Sequence, residues 1–130
     1  MCKCKRGLRG YSGNSYKNYT ALLSNTGNAE PPTAIVLENT LGGDITWSYV
    51  NDGFYNANSN GLFTLEKTFI QLTNSDRDWL TGVTMNIYSN GLNGGFGVTN
   101  TNFFTFTVQH GGGGINTAFT YIPIEVRVYN

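Results

Sequence analysis

The chain reads as all-β, and three observations carry that reading. Apolar residues alternate with period two through its clearest segments. Turn signals built from Gly, Asn and Asp return every 8–15 residues or so. No segment shows a convincing helical period. Together these predict a β-sandwich of roughly seven or eight strands, jelly-roll-like, with a small barrel as the second architecture. The sandwich is expected over residues 33–130. An extended, largely irregular arm precedes it over residues 1–32.

The elements follow in order. Pro31 and Pro32 stiffen the chain and forbid helix around them, which places the boundary between arm and body there. Ala34-Ile35-Val36-Leu37-Glu38 is a short apolar run ended by Asn39 and Gly42-Gly43. Ile45, Trp47 and Tyr49 alternate with Thr46, Ser48 and Val50. Asn51-Asp52-Gly53 is a hairpin turn, because Asp-Gly tolerates the positive φ such turns demand. Phe54-Tyr55 begins the returning strand. Leu62 to Leu72 is long and β-like, with a slip near Glu66-Lys67 of the kind a bulge makes. Val83, Met85 and Ile87 alternate with Thr84, Asn86 and Tyr88. Phe104, Phe106 and Val108 face one side of the next strand. In the C-terminal run Ala118, Thr120, Ile122, Ile124, Val126 and Val128 make one face, and Phe119, Tyr121, Pro123, Glu125, Arg127 and Tyr129 the other. Pro123 has no N–H to give, so its strand should lie at an edge or turn that position away from a partner. The second face is aromatic and charged, which suits a contact between subunits through Phe119, Tyr121 and Tyr129.

Composition separates two parts of the chain. Only 12% of the 130 residues are charged, against about 25% in an ordinary soluble domain. With 39% hydrophobic and 14% aromatic residues, this is not a disordered composition. The formal net charge is zero, yet the first 29 residues carry five cations (Lys3, Lys5, Arg6, Arg9, Lys17) and no acid. The remainder carries three cations and eight acids, a net of −5. Such asymmetry marks a basic tail on a separate domain. We expect Lys3, Lys5, Arg6 and Arg9 to steer and anchor the arm, with Leu22 and Leu23 adding apolar contact. No apolar run reaches the roughly 18–20 residues of a membrane-spanning helix, and no apolar core of a signal peptide follows the cationic start. No membrane partner is expected.

Little in the chain points to catalytic chemistry. Cys2 and Cys4 are too close for an unstrained bridge, and they supply at most two metal ligands. The lone His110 sits beside four glycines with no Gly-x-Ser-x-Gly elbow anywhere, so no nucleophile is activated. Asp76 and Asp78 flank Arg77 in a polar loop, a solvated turn by default. No phosphate-cradling motif is present. The reading is therefore non-enzymatic, with no metal and no cofactor. Nucleic acid is disfavoured as a partner of the acidic body. Trp79, Asn90 and Asn93 are candidate contacts for a host surface glycan in a second, lectin-like reading. Gly7, Gly10 and Gly13 repeat every third residue, the register of a triple helix, but three triplets without proline are too few to hold one, so the segment reads first as flexible and Gly/Ser-rich, and only the triple-helix alternative would imply a trimer.

At Cys2-Lys3-Cys4-Lys5-Arg6-Gly7-Leu8-Arg9-Gly10 the chain resembles the starts of small structural proteins from phages of Bacteroidetes hosts. It also resembles there flavobacterial proteins with short Gly-x-x repeats. The body, rich in Gly, Asn, Thr and aromatics, is similar in style to trimeric head-fibre and decoration proteins of tailed phages, crAss-like phages included. The motif covers about ten residues, and the rest of the likeness is compositional. The resemblance implies a virion surface protein, assembled in the host cytoplasm. It would be a homotrimeric β-sandwich knob whose N-terminal arm attaches to a capsid or auxiliary protein.

Overall fold

The computed structural model describes residues 15–27, 29–72, 83–88, 101–110, 113–114 and 118–130. These residues form two antiparallel sheets packed face to face, a β-sandwich with no helix among the described residues. The strands are β1 (Tyr16–Asn25), β2 (Thr33–Asn39), β3 (Thr46–Asn51), β4 (Phe54–Asn58), β5 (Thr68–Leu72), β6 (Val83–Tyr88), β7 (Phe103–His110), the two-residue β8 (Gly113–Gly114) and β9 (Phe119–Tyr129). One sheet runs β2-β1-β9-β5. The other runs β3-β4-β7-β6, with β8 paired to β7.

Alternation fills the space between the sheets. Tyr19, Ala21 and Leu23 of β1, Ile70 of β5, and Ile122, Ile124, Val126 and Val128 of β9 are buried from one side. Tyr55 and Ala57 of β4 and Phe104, Phe106 and Val108 of β7 are buried from the other. Rings join the two layers. Tyr19 reaches Trp47 at 6.4 Å between centroids, and Tyr55 meets Phe119 edge-on at 6.1 Å. Tyr55 also stacks on Phe106 at 5.2 Å. Offset and edge-on pairs of this kind add about 0.5–1.5 kcal/mol each beyond their buried area.

The crossings between sheets are also built from the sequence. Leu41 and Ile45 are buried where the chain leaves β2 for β3. The β3–β4 hairpin turns at Asp52-Gly53, with Gly53 at φ +77 as the Asp-Gly signal required. Leu62 to Leu72 is not one long strand. Only Thr68–Leu72 pairs, and the slip at Glu66 is a left-handed residue at φ +64. Before it, Phe63 turns inward beside Phe104, 5.5 Å between centroids. The Ser59 hydroxyl donates to the Thr101 carbonyl at 3.1 Å and fixes this segment to the chain before β7.

Two expectations are corrected here. The chain before Pro32 is not an irregular arm throughout. Tyr16–Asn25 forms β1, an interior strand between β2 and β9. Its polar surroundings hid a short alternation, Tyr19-x-Ala21-x-Leu23, that is buried on one face only. Leu23 is 0% exposed in the core, so it is not offered to another surface, and Leu22 is half-buried on the outer face of the sheet. The faces of β9 also change over partway along. Tyr121 takes φ +55, and the register against β1 shifts between Leu23 and Asn25. That irregularity swings Phe119 into the core at 8% exposure and leaves Thr120 outside, the reverse of strict alternation. Pro123 lies in an interior strand, but the β5 ladder ends at Leu72 opposite Ile124, one residue short of it.

Candidate interaction surface

The outer face of the β2-β1-β9-β5 sheet follows from its register. Cross-strand partners share a face. Ile35, Leu22 and Pro123 therefore form one row across three strands. Glu38, Thr20, Glu125 and Gln71 form a polar row farther on. Then comes an aromatic and cationic cluster. Tyr16 and Tyr129 approach at 5.2 Å, and the Arg127 guanidinium sits 4.9 Å from the Tyr16 ring and 5.9 Å from that of Phe69. Arg127 also pairs with Glu125 at 3.0 Å. Hydrogen bonding to Tyr129 first, and to Glu125 second, holds the guanidinium above its ordinary pKa, so it stays charged throughout. Of the three residues expected at a subunit contact, Tyr121 (60% exposed) and Tyr129 lie on this face, while Phe119 is in the core.

The edge of this sheet is its most apolar part. Ile35, Val36 and Leu37 of β2 are 52%, 50% and 59% exposed. Val36 lies opposite the fully buried Ala21, on the core side, yet the second sheet does not cover it. The far end of β2 is tied down by polar contacts. Asn18 N–H donates to Thr40 Oγ1 at 2.8 Å, Thr40 N–H to the Asn18 carbonyl at 2.8 Å, and the Asn18 amide to Glu38.

A cleft of about 420 Å³ opens where the β1–β9 register shifts, lined by residues that include Ser24, Asn25, Glu30, Thr33 and Phe119. The Ser24 and Asn25 side chains on its wall are engaged within the fold. The Asn25 amide donates to the Glu30 carbonyl at 2.9 Å, its oxygen accepts from Gly27 N–H at 2.7 Å, and the Ser24 hydroxyl accepts from Tyr121 N–H at 3.0 Å.

Two buried hydroxyls have no hydrogen-bond partner among the described residues, those of Tyr19 and Tyr55. The Trp47 N–H faces Tyr19 but falls short of bonding geometry and is itself unpaired. Burial pushes both phenols above 10.0. The weak Trp47 donor opposes this at Tyr19, and Tyr49 and Asp52 reinforce it at Tyr55.

Lys3, Lys5, Arg6, Arg9, Cys2 and Cys4 lie outside the described residues, as do Trp79, Asn90, Asn93, Asp76 and Asp78. Among the described residues no group of three or more His, Cys, Asp or Glu could hold a metal ion. The feature that sequence reasoning missed is the exposure of β2. Its aliphatic run reads as an ordinary core strand, and only the position of β2 at a sheet edge shows otherwise. No protein-family model, curated protein or solved structure matches the chain.

Proposed function

We propose that this protein is a non-enzymatic structural component of a virus particle, in which a cationic N-terminal segment attaches to a capsid or auxiliary protein and the sandwich is displayed. The observation that carries the proposal is the separation of charge along the chain. Residues 1–14 hold four cations and no acid, whereas residues 15–130 hold four cations and eight acids, a net of −4. A short cationic segment of this kind suits an acidic docking surface and speeds encounter with it. The aliphatic edge of β2 supports the same reading, since three consecutive half-exposed aliphatics are what an assembled subunit covers. A lectin-like role is less well supported, because the cleft where the β1–β9 register shifts has its Ser24 and Asn25 side chains bound internally.

Gradient sedimentation of a producing lysate, with the chain followed by antibody, tests the proposal. The full chain should travel with particles far larger than its own 14.3 kDa. A chain lacking residues 1–14 should stay at the top while keeping its β-sheet circular dichroism. A truncated chain that still travels with particles would reject the attachment role of the segment.

A further inference from the structure

We infer that β2 is a self-pairing edge: two copies of this chain join antiparallel along Thr33–Leu37, about a two-fold axis at Ile35, and fuse their four-stranded sheets into one of eight. Along β2 only one side is bonded, to β1, and no other described strand lies on its free side. A strand that presents unpaired backbone groups together with exposed aliphatics is a template for another strand. Natural edges block this with a lysine, a proline or an inward charge. Thr33–Leu37 contains none of these.

The occupant follows from the sequence of the edge itself. With Ile35 at the axis, Ala34 of one copy faces Val36 of the other, and Thr33 faces Leu37. The half-covered Val36 then shields a second-copy alanine on the core side, and Ile35 meets its own equivalent on the outer side. One step farther, Pro32 would face Glu38. Proline has no N–H to donate, so pairing stops there, and the two Glu38 carboxylates stand about 20 Å apart at opposite ends. The bulge in the β1–β2 ladder at Thr20 and Ala21 falls at the Leu37 end and leaves the central three residues regular. The paired stretch is neutral and the whole chain has a formal charge of zero, so two copies do not repel. Because each copy uses the same edge, pairing closes at two and does not propagate into a fibre. This inference does not depend on the particle reading above.

The experiment is the mass of the full chain in solution, by sedimentation equilibrium from about 1 to 100 µM, for the natural chain and two variants. The natural chain should approach twice 14.3 kDa with rising concentration. Ile35→Lys and Ile35→Glu each place like charges against each other at the axis, so each should lose the dimer. Both should keep their circular dichroism, because Ile35 is half exposed. Mixed in equal amounts, the two variants should restore a dimer, since lysine then faces glutamate. A natural chain that stays monomeric would overturn the inference, and if removing residues 1–14 then produced a dimer, the edge is covered by this chain's own N-terminal segment. A trimer unaffected by either substitution, or a mixture that remains monomeric, would also overturn it.

Discussion

At the scale of single residues, stability is concentrated in the rings that bridge the sheets. Phe106 is fully buried, stacked on Tyr55 and edge-on to Trp47 at 6.0 Å. Phe106→Ala should cost about 3–5 kcal/mol, read as a lower midpoint in urea denaturation. Tyr19 should behave differently, because its hydroxyl is buried without a partner. Tyr19→Phe should leave stability at pH 7 unchanged or raise it by up to about 1 kcal/mol in the same assay. The two buried phenols also set an alkaline limit. Their folded pKa values lie above the unfolded value of 10.0, so the neutral phenol is the form that folding favours. The stability this supplies is fully present below about pH 10 and is lost as the pH rises through the folded values. Melting temperature should therefore fall as the pH rises above about 10, and less steeply in Tyr19→Phe than in the natural chain. Tyr121 makes the opposite kind of case. It is exposed, yet its φ of +55 is costly for any residue but glycine and worst for a β-branched one. Tyr121→Val should destabilise by about 1–2 kcal/mol, and Tyr121→Gly should not.

At the scale of elements, the most consequential finding is that β1 belongs to the sandwich. Removing residues 1–14 should leave the melting temperature within a few degrees of the full chain. Removing residues 1–29 deletes the strand between β2 and β9 and should abolish cooperative unfolding altogether. Calorimetry of the two truncations distinguishes these outcomes. The sequence made most strands legible, and the reason is physical. In β7 and β9, Phe104, Phe106, Ile124 and Val126 are buried by one face of a two-layer core, so apolarity repeats every second residue. β1 is hard to read because apolar Leu22 lies on the outer face, whereas polar Asn18 and Asn25 occupy buried positions. Strict alternation puts Phe119 on the wrong face because one left-handed residue, Tyr121, reverses it, and nothing local announces that a tyrosine will adopt that conformation. The aliphatics of β2 look like core until the sheet order is known. Strand order depends on contacts distant in sequence, which no short window contains.

At the scale of the whole molecule, the fold of this neutral chain leaves one aliphatic sheet edge uncovered. Its sandwich holds an ordinary aromatic core, and its acidic charge is set against the cationic first 14 residues. The unfinished part is one edge, β2, where Ile35, Val36 and Leu37 meet solvent. Self-pairing along β2 would leave this edge open in the single chain and closed in the paired one. Hydrogen–deuterium exchange of the segment 33–39, compared at about 1 and 100 µM, tests it most directly. About half of its amides, those facing away from β1, should exchange freely in the dilute chain and become protected in the concentrated one, while β9 stays protected in both. Equal protection of β2 at both concentrations would contradict self-pairing.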